Sequence, residues 1–92
     1  MKYLLQLIRR IVGKDGDGYI RFTTEVPFPV QSGMWIRTNP GPIHDVGMLL
    51  ESVIWDIPSQ SFICHLGDDV SRESHYSQIL QYWIDRGWTE EK

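Results

Sequence analysis

Residues 2–26, KYLLQLIRRIVGKDGDGYIRFTTEV, decide the fold class, because an apolar run leads into a glycine-rich turn and then an alternating segment. The run carries five apolar side chains at the i, i+3, i+4, i+7 spacing of one helical face: Leu4, Leu5, Ile8, Ile11 and Val12. This spacing predicts a helix over residues 2–12, with Gly13 in the left-handed conformation behind it. The same run also fits a strand, because Leu7 lies outside the stripe.

The turn that follows, residues 14–20, resembles the middle of an EF-hand calcium loop. With Gly18 aligned on the invariant glycine of that family, Asp15 and Asp17 supply two of the carboxylates. The loop's last position then falls on Thr24 and its first on a glycine, so the ligands that fix the ion are missing. We interpret the segment as a Gly/Asp turn and predict no calcium site.

Four later segments have the composition of strands. They are residues 19–26, 33–37, 46–56 and 61–66. In the first, alternation directs Ile20, Phe22, Thr24 and Val26 inward. In the third, the apolar positions change from even to odd, which predicts a β-bulge near residues 51–52. The short turn at 57–60 predicts that the third and fourth segments pair as an antiparallel hairpin.

The last element has the clearest pattern. Its apolar residues recur at helical spacing: Tyr76, Ile79, Leu80, Trp83 and Ile84. We predict a helix over residues 72–86, with Ser71 or Ser74 as its N-cap. Gly87 fits the position after the C-terminus, where Trp88 folds back on the last turn.

This order of elements predicts an α+β protein. We expect a four-stranded antiparallel sheet, with a curled, barrel-like form as the alternative, flanked by an N-terminal and a C-terminal helix. The chain has 92 residues, of which 41% are hydrophobic. That length supports a single core, so we predict one globular domain over residues 1–92.

Composition also limits the cellular setting. Nine basic and twelve acidic residues give a net charge of -3, which argues against nucleic-acid binding, since that depends on neutralising phosphates. A single cysteine forms no internal disulfide and fits a reducing compartment. The apolar run at the N-terminus is too short for a membrane span or a secretory signal. We therefore expect a cytoplasmic protein with no membrane association.

Residues that could carry chemistry do not form a recognisable catalytic or metal motif. Cys64 and His65 are adjacent and point to opposite faces of a strand, and neither His44 nor His75 lies at a metal-ligand spacing from them. The sequence has no nucleophile elbow and no phosphate-binding loop. We predict no catalytic residues, no metal and no cofactor.

The strongest binding signal surrounds Trp35. Its neighbours Met34 and Ile36 can fill a core face, which leaves Trp35 and Arg37 on the other, where this pair has the composition of an interface anchor. The loop behind them supplies polar groups at three further positions. Those predicted binding residues are Asn39, His44 and Asp45. The sequence favours a non-catalytic protein-interaction module that contacts another protein or a second copy of itself.

Two other functions remain as alternatives. One is a small ligand-binding or enzymatic domain with a pocket between sheet and helix, where His44, Asp45 and His65 would be the polar groups. The other is weak nucleic-acid binding through basic residues that would have to share a face. Those residues are Arg9, Arg10, Lys14 and Arg21.

Overall fold

The computed structural model describes residues 2–37 and 48–91. Within those ranges the chain forms eight strands and one helix. They are β1 (Tyr3–Gly13), β2 (Gly16–Val26), β3 (Trp35–Ile36), β4 (Met48–Leu49), β5 (Val53–Asp56), β6 (Ser61–His65), β7 (Asp69–Val70), α1 (Tyr76–Ile84) and β8 (Thr89–Glu91). No helix in the described ranges is long and apolar enough to cross a bilayer.

Strand β1 is central in a mixed six-stranded sheet. It pairs antiparallel with β2 along its whole length, from Tyr3 opposite Val26 to Gly13 opposite Gly16. On its other edge it pairs in parallel with β6 and, further along, with β7. The strand order is β5-β6-β1-β2-β8, with β7 beside β1 beyond the end of β6. Strands β3 and β4 form a separate antiparallel pair.

The predicted helix over residues 2–12 is wrong, because these residues form β1. Leu5, Leu7 and Ile11 alternate along the strand and are fully buried. Leu4, Ile8 and Val12 on the other face of the strand are half-buried, so the strand is apolar on both faces, and such a run imitates a helical stripe. The predicted four-stranded antiparallel sheet between two helices is therefore wrong as well. The barrel-like alternative also fails, since among the described strands the sheet ends in two edges, β5 and β8.

The predicted third strand over residues 46–56 is two strands in different sheets. Leu50 follows β4 and stays with the β3 side, because its N–H donates to Met34 O at 2.8 Å and its carbonyl accepts from Gly33 N at 2.7 Å. Three residues later, the N–H of Val53 donates to Ser32 Oγ at 3.2 Å, and β5 joins the large sheet. The change of apolar register therefore marks a change of sheet and not a bulge.

Two strand predictions are confirmed. β5 and β6 form the predicted antiparallel hairpin, with Val53 opposite Cys64 and Asp56 opposite Ser61. The four-residue turn 57–60 joins them, and its last residue, Gln60, has a φ of 51°. The alternation in β2 is also confirmed, since Ile20 is fully buried and its inward neighbours pack against the core.

The core lies on one face of the large sheet. Helix α1 packs on β1 and β2, and the β3–β4 pair contributes Ile36 and Met48 to the same cluster. The buried apolar residues are Leu5, Leu7, Ile11, Ile20, Val30, Leu50, Cys64, Leu66, Ile79 and Trp88. The helix and the small sheet thus share one covered face.

The C-terminal helix is confirmed, with a later start and an earlier end than predicted. Gly87 has a φ of 93°, its N–H donates to Ile84 O at 3.0 Å, and the N–H of Trp88 donates to Trp83 O at 3.1 Å. This is the hydrogen-bond pattern of a Schellman ending. Trp88 is only 3% exposed, and its ring lies 5.5 Å from that of Phe22. The predicted role of Trp88 is therefore confirmed.

The prediction that Ser71 or Ser74 caps the N-terminus of α1 is wrong. The β1–β2 hairpin supplies the cap instead. Asp15 Oδ1 accepts from the N–H of Tyr76 at 2.7 Å, and Asp15 Oδ2 lies 3.2 Å from His75 Nδ1. The carboxylate therefore faces the positive end of the helix. Ser71 Oγ instead accepts from the N–H of Ser74, before the helix begins.

The glycines of the hairpin provide space for the helix. A Cβ added to Gly13 would lie 2.5 Å from the backbone nitrogen of Tyr76, and one added to Gly18 would collide with the Tyr76 phenol. The hydroxyl of Tyr76 donates to Glu90 Oε2 at 3.0 Å. The Gly/Asp segment is thus a turn, as interpreted, but Gly13 and Gly18 are needed for close approach and not for positive φ.

We expect Gly13→Ala to destabilise the fold by about 1–3 kcal/mol, since overpacking against backbone forces the helix to move. Gly67→Ala is the control, because its added Cβ would meet no atom within 4 Å, and its effect should stay within about 0.5 kcal/mol. Urea denaturation followed by circular dichroism measures both. Equal stability of the two variants would contradict this account.

The helix cap also makes stability depend on pH. The hydrogen bond from the Tyr76 N–H lowers the pKa of Asp15, so the capping charge stabilises the fold above the ordinary aspartate pKa of about 4 and is lost as pH falls through the lowered value. We expect Asp15→Asn to melt below wild type at pH 7 and to approach it in acid. A difference in Tm between wild type and Asp15→Asn that does not change with pH would contradict the role of Asp15 as a charged helix cap.

Candidate functional site

Two concave surfaces lined by described residues flank the covered face of the sheet. The first, here called the aromatic groove, has a volume of 400 Å³. Its lining residues are Thr24, Glu25, Val26, Phe28, Trp35, Ile36 and Arg37. It therefore joins the end of β2 to strand β3.

The alternation of β3 places Trp35 outside. Ile36 and the preceding Met34 pack against the core, so the side chain between them points away from it. Trp35 is 68% exposed and Phe28 is 40% exposed. The predicted exposure of Trp35 is confirmed, and the prediction that Met34 and Ile36 fill the core face is confirmed with it.

Charged side chains of both signs border the aromatic groove. Arg37 is exposed at one end. Glu25 also lines the groove and is exposed, and its Oε2 lies 3.7 Å from Lys2 Nζ. An apolar centre with a charged, solvated rim is the usual composition of a protein-binding surface.

The second surface, here called the helix–sheet groove, lies between α1 and the segment around β7. Its volume is 630 Å³. The lining residues are Arg9, Gly67, Asp68, Asp69, Ser71, Ser74, Gln78, Ile79, Tyr82 and Trp83. The groove is thus the larger of the two.

Arg9 is the central charge of the helix–sheet groove. It belongs to the covered face of β1, and its guanidinium carbon lies 5.0 Å from the centre of the Trp83 ring, a cation–π contact. Its Nε is buried and has no hydrogen-bond partner. Burial lowers the pKa of Arg9, while the negative charge of Asp69 acts in the opposite direction. The guanidinium nonetheless stays protonated at neutral pH.

The indole of Trp83 also holds Asp69. Its Nε1–H donates to Asp69 Oδ2 at 2.8 Å. Among the described residues, Arg9 has no carboxylate within 4 Å, and Asp69 takes part in no ion pair. Trp83 therefore contacts both Arg9 and Asp69, whose opposite charges lie near each other without forming an ion pair.

Comparison with protein-family models, curated proteins and solved structures finds no match for this chain. Its function is therefore argued from the two grooves.

The structure places the predicted binding residues as follows. Trp35 and Arg37 both line the aromatic groove. Asn39, His44 and Asp45 lie outside the described residues. His65 is exposed on β6 opposite Ile8, which puts it on the other face of the sheet from Arg9. It is thus not a group of the helix–sheet groove.

The basic residues of the nucleic-acid alternative do not share a face. Arg9 and Arg10 are neighbours on β1 and point to opposite sides. Arg10 is paired with Asp17 at 2.7 Å, and Arg21 is paired with Glu91 at 2.5 Å. Their charge is therefore partly neutralised within the protein.

Cys64 and His75 have separate surroundings. Burial raises the pKa of the Cys64 thiol, so it is protonated at neutral pH and a weak nucleophile. His75 instead faces Asp15 at the start of α1. Among the described residues, no three histidine, cysteine or acidic side chains are grouped to hold a metal ion.

Sequence reasoning missed Arg9 as a groove residue. The sequence contained a signal for this, since Arg9 and Arg10 are adjacent in an apolar run. On a central strand, one of two adjacent residues must face the covered side of the sheet. The helix interpretation concealed this, because neither arginine belongs to the apolar stripe of the predicted helix.

We expect Trp35→Ala to change the free energy of unfolding by no more than about 0.5 kcal/mol, because the side chain is mostly in water. Trp88→Ala is the contrast, since Trp88 is buried and its truncation should cost about 3–5 kcal/mol. Chemical denaturation of both variants is the measurement. A large loss of stability in Trp35→Ala would show that Trp35 is a structural residue.

Proposed function

We propose that this protein is a non-catalytic protein-interaction module that binds a partner through the aromatic groove. The observation that carries the proposal is the 68% exposure of Trp35 beside the exposed Phe28. Tryptophan and arginine dominate the binding energy of protein interfaces, and Arg37 lies at the rim of the same groove.

The support under Trp35 favours binding as well. Trp35 is opposite Leu49 in the β3–β4 pair. The residues before and after each of these two in the chain pack into the core. An aromatic side chain on a strand pair that is packed against the core loses little conformational freedom when a partner binds. The groove is therefore largely preformed.

The size of the groove fits a short segment of another protein. A volume of 400 Å³ accommodates an apolar anchor side chain, with Arg37 available to an acidic neighbour of that anchor. We propose an apolar–acidic segment of a different protein as the partner, and a second copy of this chain as the other candidate.

We place this activity in the cytoplasm. The single cysteine, Cys64, is a free and buried thiol, which suits a reducing compartment. The net charge of -3 is consistent with a partner that is not nucleic acid.

The test is selection of a random peptide library displayed on phage against the wild-type protein. Recovered peptides are then measured by fluorescence anisotropy against Trp35→Ala and Arg37→Ala. We expect Trp35→Ala to weaken binding at least about 30-fold, as for a hot-spot residue. Arg37→Ala should weaken it less, and mainly for acidic peptides.

Trp55→Ala is the matched control. Trp55 is also a half-exposed tryptophan, but it lies on edge strand β5 against Phe62, outside the aromatic groove. Equal loss in Trp35→Ala and Trp55→Ala would contradict the proposal. Sedimentation velocity on the same variants shows whether the second copy is the partner.

A further inference from the structure

We propose that the helix–sheet groove binds a small zwitterion, an α-amino acid with an apolar side chain, between Arg9 and Asp69. This site is separate from the aromatic groove and does not depend on the proposed protein interaction.

Arg9 provides the site for a carboxylate. Its guanidinium lies against the Trp83 ring, which leaves its in-plane N–H groups as the surface for a ligand. Among the described residues no carboxylate pairs with its terminal Nη groups, and an arginine with free in-plane donors takes a carboxylate in a bidentate arrangement.

Asp69 provides the site for an ammonium group. One of its carboxylate oxygens accepts from the Trp83 indole, and the other has no hydrogen-bond partner among the described residues. Since Trp83 holds both Arg9 and Asp69, the two charges keep a fixed separation. A ligand that carries a carboxylate and an ammonium group on the same carbon atom satisfies both.

The other charges of the groove exclude a strongly anionic ligand. Asp68 lines the groove as well. Its Oδ2 lies 3.7 Å from Nη1 of Arg10, and Arg10 also pairs with Asp17. With one arginine against two aspartates, the groove carries a net negative charge. A phosphate dianion would be repelled there, whereas a zwitterion carries no net charge.

The remaining walls suit an apolar side chain. Ile79 and Tyr82 lie one turn apart on α1 and join Trp83 along one side of the groove. The volume of 630 Å³ falls in the usual range for small-molecule sites, about 300–1,000 Å³. The hydroxyl of Ser71 and the amide of Gln78 also line the groove.

The test is a titration of ¹⁵N-labelled protein with L-leucine and L-phenylalanine, followed by NMR. The two reporters are the Arg9 Nε–H and Trp83 Nε1–H signals. We expect both to shift with either amino acid. Leucinamide, which lacks the carboxylate, and N-acetyl-leucine, which lacks the ammonium group, should each bind at least about tenfold more weakly.

Variants locate the site. Arg9→Lys and Asp69→Asn should each weaken leucine binding at least about tenfold, and Asn at position 69 retains an oxygen for the indole N–H. Tyr82→Ala tests the apolar wall of the groove. Because Tyr82 is 48% exposed, we expect this variant to keep the fold, so it tests the site even if Arg9→Lys is unstable. Arg72→Lys, at an exposed position outside the groove, is the control and should bind as wild type.

Three results would overturn the proposal. The first is no shift of either reporter up to the solubility limit of both amino acids. The second is equal binding of leucine, leucinamide and N-acetyl-leucine. The third is binding of inorganic phosphate as strong as that of leucine, which would indicate attraction of any anion to Arg9.

Discussion

The central position of β1 is the constraint on which the rest of the structure depends. Its backbone is bonded on both edges, to β2 along the full length and to β6 and β7 on the other side. Buried amide groups must find partners, and for this strand they come from the next strand along the chain and from residues 61–70. The parallel pairing with β6 joins residues more than fifty positions apart. Helix α1 and the β3–β4 pair then cover the face that β1 presents.

The tip of the β1–β2 hairpin fixes the helix on that face. Asp15 caps the first turn of α1, and the lack of side chains at Gly13 and Gly18 lets Tyr76 approach the sheet. The other end of α1 is closed by the turn at Gly87 and the burial of Trp88. Held at both ends, the helix places Trp83 over Arg9.

Both candidate sites result from this arrangement. The covered face is shared between a short helix and a two-stranded sheet, and each leaves a groove at its border with the large sheet. The aromatic groove has an exposed apolar centre, as expected for a protein partner. The helix–sheet groove holds opposite charges around one indole, as expected for a small polar ligand. The two surfaces therefore suit ligands of different size and chemistry.

The amino-acid pattern alone predicts the features that depend on local sequence. These are the alternation of β2, the β5–β6 hairpin, the helix with its glycine ending, and the exposure of Trp35. Tertiary structure decided the rest, because residues 3–13 are apolar enough for either a helix or a central strand, and only pairing with β2, β6 and β7 selects the strand. The cap on α1 and the place of Arg9 likewise depend on groups distant in sequence, which local spacing does not encode.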